Sequence, residues 1–248
     1  MVVNCPSSLV FSLVPGPRVT DDHLKACASL FSSNYGVWSS TVSPPLKPHF
    51  RVKMSPSKLK EQCFSDPEHS MLALCTVDNV IVGHAFATVW NYNGSDICWI
   101  TQLVVSPDYR RRGIATTLLH MLPGPGFNCA VFGLASSHPA ACLALFKRAY
   151  ANARKLDLNF IKEHGQKIID TTNVSYLKGT QLRGTLFEGA APAGAVSCVF
   201  TDFHVDHSEP LRARKSWEDR HDLIWPLGAL PAGHEFFCIA ANHRPNGG

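Results

Sequence analysis

Residues 105–122 read Val105-Ser-Pro-Asp-Tyr-Arg-Arg-Arg-Gly-Ile-Ala115 and continue as Thr116-Thr-Leu-Leu-His-Met-Leu122. An apolar, β-branched stretch precedes this run, and an amphipathic helix follows its Arg- and Gly-rich turn. The first amides of a helix have no partner within the helix, so they attract anions together with the helix dipole. Gly113 and Ala115 are small enough to let a phosphate approach the backbone, and Arg110 to Arg112 add positive charge. The stretch therefore predicts a binding turn for a diphosphate.

The spacing of this turn distinguishes between families of phosphate-binding loops. A P-loop would end in Gly-Lys-Ser/Thr and a dinucleotide fingerprint would carry three glycines, and neither pattern is present. The run instead resembles the coenzyme A signature of the GNAT superfamily of acyl-CoA-dependent N-acyltransferases, Arg/Gln-x-x-Gly-x-Gly/Ala. Residues 110–115 match that signature, and Leu103-Val-Val-Ser-Pro107 matches the Leu-x-Val-x-Pro strand that precedes it in the family. A solvated basic turn is the alternative interpretation, and the flanking strand and helix argue against it.

Composition is that of an ordinary enzyme domain. The chain has 248 residues, of which 45% are hydrophobic and 17% charged, so we expect residues 1–248 to form a single domain. The net charge of +4 is too small for a nucleic-acid-binding protein. Nine cysteines without a Cys-x-x-Cys pair, and no recognisable leader, favour reduced thiols and a cytoplasmic location. No apolar run is long enough to cross a membrane.

Hydrophobic patterning predicts an α/β fold with a mixed, mostly antiparallel sheet flanked by helices. We expect strands at 9–14, 71–77, 80–90, 97–105, 129–134, 196–205 and 234–240. We expect helices at 23–31, capped by Asp21 or Asp22, and at 55–63, 114–122, 140–150 and 156–169. The irregular region 32–66 lies over the acceptor site in the resembled family. The extended C-terminal part, 151–248, contains a polar insertion at 206–233 and a loose tail from 243.

The resemblance also implies how a CoA thioester binds. The strand before the diphosphate turn splays from the next strand, and the pantetheine arm lies in the opening against the backbone of Leu103, Val104 and Val105. Residues 110–116, which are Arg110, Arg111, Arg112, Gly113, Ile114, Ala115 and Thr116, surround the diphosphate. Ser137 and His138 occupy the place of a pantetheine-contacting Asn. Acetyl-CoA is the expected donor, because acetyl is the commonest acyl group in the superfamily.

The reaction implied by the resemblance is direct attack of an amine on the thioester. It requires a free amine, although alkylammonium groups are protonated at neutral pH, and a proton for the leaving thiolate. Gln102 stands where many relatives have a Glu base, and Gln cannot take a proton. Phe146 stands where relatives have a Tyr acid, so Tyr150, one turn further, is the candidate replacement. His138 is a candidate base or a helix cap.

Five further candidates concern the acceptor. Tyr35 and Trp38 are either pocket walls or core for the long loop, and His84 is either a pocket residue or an ordinary sheet histidine. Asp202 and His204 would share one face of a strand bordering the acceptor site. The surrounding run 201–209 resembles a metal cluster but has no recognised ligand spacing, so we expect no metal.

Together these observations predict an N-acetyltransferase acting on a small-molecule amine, as a monomer or homodimer. The alternative is a GNAT-fold module that binds CoA without turnover and serves as a sensor or interaction protein.

Overall fold

A computed structural model describes residues 8–188 and 192–243 as one eight-stranded sheet with helices on both faces. The strand order is β1-β2-β3-β4-β5-β8-β7-β6. The strands are β1 (Val10–Pro15), β2 (Ser70–Val77), β3 (Val80–Tyr92), β4 (Ser95–Val105), β5 (Cys129–Ser136), β6 (Leu182–Arg183), β7 (Cys198–Phe200) and β8 (His234–Ala241). The helices are α1 (Asp21–Asn34), α2 (Pro56–Cys63), α3 (Ile114–Met121), α4 (Pro139–Arg148), α5 (Leu158–Asp170) and α6 (Ser208–His221).

Only the β4–β5 pair is parallel, which confirms the predicted mixed, mostly antiparallel sheet. In the β3–β4 pair, Ala87 opposes Ile100 and Phe86 opposes Gln102, so Thr101 is an extra, bulged residue. Pairing between β4 and β5 ends next to this bulge, at Ile100 and Leu134. Beyond that point the two strands separate, as the family resemblance predicts.

The helices cover the sheet in two groups. Helices α3 and α4 pack together on one face, and α1 and α2 pack together on the other. Helix α5 packs on β8, and Ser175, just after it, donates a hydrogen bond to the Glu61 carbonyl of α2 at 3.3 Å. The core beside α5 includes the fully buried Trp99 of β4. Gly133 of β5 makes room for this indole, since a Cβ there would lie 2.4 Å from the ring.

Most predicted elements are present, with ends shifted by a few residues. Three differences concern the C-terminal part. The predicted strand 196–205 is only the three-residue β7, the predicted insertion contains α6, and β6 was not expected. Helix α6 escapes prediction because it buries few side chains, chiefly Pro210 and Trp217, and so shows little apolar periodicity. The predicted loose tail lies outside the described residues, apart from its first residue.

No helix in the described part of the chain is both long enough and apolar enough to span a bilayer.

Candidate functional site

The diphosphate turn (residues 110–116) leads from a short 3₁₀ turn into α3 with its backbone amides unpaired. Arg111 and Gly113 both have left-handed backbone conformations, with φ of 61° and 79°. The amides of residues 111–116 donate to no acceptor among the described residues, and no side chain caps α3. A Cβ on Gly113 would meet nothing within 4 Å, so the space in front of the turn is open. The turn is therefore built to receive an anion.

The three arginines of the turn have different surroundings. The Arg110 guanidinium donates to the carbonyls of Val105 and Asn34, at 3.2 and 3.3 Å, and forms an ion pair with Glu209 at 2.5 Å. Arg112 donates to the Asp108 carbonyl at 3.0 Å and lies over a tyrosine ring. Arg111 is exposed. The Arg110 side chain thus fastens the turn to α1 and α6, and its contribution of positive charge to the diphosphate site stays a prediction.

A cavity of about 140 Å³ lies where β4 and β5 separate, on the face covered by α1 and α2. Its walls come from β4, β5, β8, both helices and the segments after α5 and β7. It is lined by Phe31, Tyr35, Met54, Gln62, Cys63, Ile100, Thr101, Gln102, Leu103, Leu134, Ala135, Ser136, Ala141, Tyr176, Thr201, Phe203 and Glu235. The strand edges that face each other at the opening have no sheet partner from Thr101 and from Ala135 onward.

Glu235 is the single carboxyl group on the cavity wall. Its residue is 7% exposed, and burial raises the pKa of its carboxyl to about 7. The neighbouring Thr201 hydroxyl and Ser137 backbone amide lower the pKa by smaller amounts. The Thr201 and Ser137 hydroxyls are buried and make no hydrogen bond of good geometry with a described residue. Glu235 is therefore a group that changes its protonation near neutral pH, with unused polar atoms beside it.

Two tyrosines face the same cavity. The Tyr176 hydroxyl accepts a hydrogen bond from the Trp99 indole at 3.1 Å and donates to the carbonyl of the bulged Thr101 at 3.4 Å. The Tyr35 ring stacks on Phe31 at 4.3 Å. Burial, followed by the nearby Glu235, raises the pKa of Tyr35 well above its usual value. Both hydroxyls therefore keep their protons at neutral pH.

Gln102 lies on the cavity wall, and its side chain contacts both His84 and Cys63. Its side-chain oxygen is 2.7 Å from His84 Nε2, and its amide donates to Cys63 Sγ at 3.7 Å. Burial lowers the pKa of His84 to about 4, and His84 is 0% exposed behind Gln102. Burial also raises the pKa of the Cys63 thiol to about 12, so it is no nucleophile at neutral pH. The prediction that His84 contacts the acceptor is wrong, because Gln102 separates it from the cavity.

Ser137 and His138 lie at the start of α4. The His138 ring caps the helix by accepting from the Ala140 amide at 3.1 Å, and its other nitrogen lies 3.8 Å from Glu209. Burial lowers its pKa, and His138 does not line the cavity. The capping interpretation is thus the one the geometry supports.

Tyr150 is not near the cavity. Helix α4 ends at Arg148, and Tyr150 follows with a left-handed φ of 57° and 48% exposure, its ring beside His120. Ala141 lines the cavity from the opposite end of α4. Nine residues of helix and turn span roughly 13 Å, so the predicted role of Tyr150 as the thiolate acid is wrong.

The predicted acceptor contacts of Asp202 and His204 are also corrected. Strand β7 ends at Phe200, and the alternation of sides continues in the segment that follows it. Thr201 and Phe203 line the cavity, whereas Asp202 and His204 contact each other at 3.0 Å outside it, on the other side of the segment. Among the described residues, no three His, Cys, Asp or Glu side chains are grouped to hold a metal ion.

Of the two predicted aromatic wall residues, Tyr35 lines the cavity. Trp38 stands behind it, edge-on to Phe203 at 5.5 Å. Sequence reasoning missed Glu235 and Tyr176. A signal for Glu235 was present, since it is a lone carboxylate in the apolar run His234-Glu-Phe-Phe-Cys-Ile-Ala240.

Comparison with known proteins bears on the segment that contains the diphosphate turn. The profile described as Acetyltransferase (GNAT) family matches residues 34–122. No curated protein matches the chain. The match includes Tyr35, Gln102 and the diphosphate turn, and it ends before Tyr176 and Glu235.

Solved structures with some likeness include acetyltransferases of low identity. A fungal multi-domain β-N-acetylglucosaminidase with a glucosamine N-acetyltransferase region is 15% identical over 72% of this chain and 18% of that chain, with a TM-score of 0.38. This chain thus spans less than a fifth of that protein's length. The ribosomal-protein-S18-alanine N-acetyltransferase of Escherichia coli is 16% identical over 56% and 75% of the two chains, with a TM-score of 0.36. An aminoglycoside acetyltransferase from an uncultured soil metagenomic sample is 15% identical over 60% and 91%, with a TM-score of 0.40.

All three TM-scores are low, so the assignment depends on the profile match together with the diphosphate turn. Residues 34–122 of this chain match the family model of the GNAT acetyltransferases.

Proposed function

We propose that the protein transfers an acetyl group from acetyl-CoA to the amino group of a small molecule. The observation that carries the proposal is the position of Glu235. Its buried carboxyl, with a pKa of about 7, lines a cavity at the point where β4 and β5 separate. A base of this strength is ionised above pH 7, and it accepts the one proton that the neutral amine loses when it attacks the thioester.

The chain has suitable groups for each part of a CoA thioester. The unpaired amides of residues 111–116 would hold the diphosphate, with Arg111 as the available cation. The unpaired edge of β4, from Thr101 to Val105, would hold the pantetheine arm. Bound acetyl-CoA supplies a thioester, which a free amine attacks without further activation of the carbonyl.

The residues of the cavity divide the proton transfers between them. Glu235 takes the proton that the amine loses as the new C–N bond forms. An amide of the unpaired β4 edge donates to the carbonyl oxygen as it gains negative charge. Tyr35, protonated at neutral pH, donates a proton to the sulfur as the C–S bond breaks. Gln102, held by His84 and Cys63, keeps this wall of the cavity in place.

The activity test measures CoA thiol release from acetyl-CoA, with and without a panel of primary amines that includes aromatic, aliphatic, polycationic and peptide members. Amine-dependent release above thioester hydrolysis supports the proposal. Tight CoA binding without release for any amine would contradict it and favour the CoA-binding module.

We expect Tyr35→Phe to lower turnover roughly tenfold, a modest loss for a general acid, because a thiolate is a good leaving group even without full protonation. The dissociation constant for CoA should stay unchanged. Tyr150→Phe is the matched control, since Tyr150 lies outside the cavity and should retain full turnover. Wild-type turnover in Tyr35→Phe would remove Tyr35 as the proton donor.

We also propose that the protein is cytoplasmic and that it is a monomer or a homodimer. All eight described cysteines are buried free thiols, which supports a reducing compartment such as the cytoplasm.

A further inference from the structure

The charge on the cavity wall restricts the acceptor. Among the described residues that line the cavity, Glu235 is the one ionisable carboxyl, and none is a Lys, Arg or His. One carboxylate balances one ammonium group. A second ammonium on the same acceptor would be desolvated without a partner, which is unfavourable.

Aromatic rings form the wall that an acceptor would meet. Phe31 and Tyr35 are stacked at 4.3 Å, and the Phe203 ring packs against Tyr35 at 5.8 Å. Trp38 supports Phe203 from behind at 5.5 Å. Ring faces attract both apolar groups and cations. This wall therefore favours an apolar or aromatic body next to the amino group.

The size of the cavity sets a limit on that body. Its volume is about 140 Å³, and an apolar protein cavity of about 150 Å³ accommodates benzene. The enclosed part of an acceptor is thus no larger than a single ring with a short arm.

Two chain segments each supply one ring to the cavity wall, Tyr35 and Phe203, and we refer to residues 35–39 and 203–206 as the roof. Trp38 and Val205 form a β-bridge. The Ser39 amide donates to the His204 carbonyl, and the Asp206 amide donates to the Val37 carbonyl, both at 2.9 Å. A polypeptide lying across the cavity would have to break these bonds. The acceptor must therefore enter with one end first.

From these four observations we propose that the acceptor is a compact monoamine, with its amino group on a short arm attached to an aromatic or similar apolar body. The proposal rests on the N-acetyl transfer proposed above. It places the ammonium group at Glu235 and the body against Phe31, Tyr35 and Phe203. Polyamines, polycationic sugars and lysine side chains on protein surfaces do not fit the single carboxylate and the roof.

The test compares kcat/KM for matched amines at saturating acetyl-CoA and pH 8. Phenethylamine has one ammonium group and one ring, and 4-(aminomethyl)phenethylamine adds a second ammonium group to the same body. Spermidine and a lysine-containing peptide represent the excluded classes. We expect phenethylamine to exceed each of the other three by at least about tenfold. The diamine and spermidine would bury an ammonium group without a partner, which is unfavourable, and the peptide would have to break the bonds of the roof.

Two variants test whether the aromatic wall of the cavity causes the preference for phenethylamine. Phe203→Leu should lower the preference for phenethylamine over propylamine and leave CoA affinity unchanged. Phe50→Ala is the control, because Phe50 is 62% exposed in the same loop region and does not line the cavity. If Phe203→Leu keeps the wild-type preference, the aromatic wall does not select the acceptor.

The two proposals can fail separately. Turnover with spermidine or the peptide that equals or exceeds turnover with phenethylamine would overturn the monoamine proposal while acetyl transfer stands. Absence of CoA release with every amine would overturn acetyl transfer itself, and the monoamine proposal with it.

Discussion

Gly113→Asp is expected to weaken CoA binding by at least about 100-fold, which corresponds to about 2.7 kcal/mol. Residue 113 stands directly before α3, among the unpaired amides of the diphosphate turn. An aspartate carboxylate at this position would lie beside the amides that a diphosphate needs. The same carboxylate would repel the diphosphate in the open space in front of the turn.

The measurement is the dissociation constant of CoA by titration calorimetry, together with the CoA-induced rise in melting temperature. Gly94→Asp is a close control. Gly94 has a φ of 78°, against 79° for Gly113, and a Cβ on either would meet nothing within 4 Å. Both variants carry the same charge and the same backbone strain. Near-normal CoA affinity in Gly113→Asp would show that the diphosphate binds elsewhere.

The diphosphate turn could be predicted from sequence because its function is local. The strand, the turn, Gly113 and the first amides of α3 are consecutive in the chain. Small residues and a helix start define an anion site without any distant contact. The meander β2-β3-β4 was predictable for a similar reason, since short turns connect strands that are adjacent in the sheet.

The rest of the site depends on contacts that the sequence does not display. Glu235 reaches the cavity because β8 pairs with β5, although about a hundred residues separate the two strands. Tyr176 reaches it from the segment after α5. Asp202 and His204 share one side of the segment after β7, as predicted, but the cavity lies on the other side, with Thr201 and Phe203. The alternation of a sequence shows which residues share a side and does not reveal which side borders a cavity.

Glu235 faces the same cavity as Gln102, which stands where many relatives have a Glu base. The strand β4 has no carboxylate at its centre, and Gln102 is engaged by His84 and Cys63. Glu235 faces the same cavity from the other side of the opening. Glu235 on β8 would thus serve as the base in place of a Glu at the position of Gln102 on β4. This replacement requires no change in the diphosphate turn.

Removal of this base should have the second large effect. We expect Glu235→Gln to lower kcat/KM at least about 100-fold at pH 8, the lower end of the usual range for a general base. Burial raises the Glu235 pKa to about 7, so the wild-type enzyme should gain activity as the pH rises through 7 and the carboxyl loses its proton. In Glu235→Gln this rise should disappear, and the activity should then depend on pH only through the ionisation of the amine substrate. Glu68→Gln, at an exposed position, is the control and should keep the wild-type profile.

Stability distinguishes a lost base from a damaged fold. A carboxyl whose pKa is raised on folding stabilises the protein below its unfolded pKa of about 4.5, and that stabilisation is lost as the pH rises through 7. Glutamine carries no charge at either pH. Between pH 4 and pH 8, the free energy of unfolding of Glu235→Gln should therefore rise relative to wild type by on the order of 3 kcal/mol. If Glu235→Gln is inactive but shows this gain in the free energy of unfolding at pH 8, measured by urea unfolding, the variant has lost the base and kept the fold. If Glu235→Gln is active and its activity still rises near pH 7, Glu235 is not the proton acceptor.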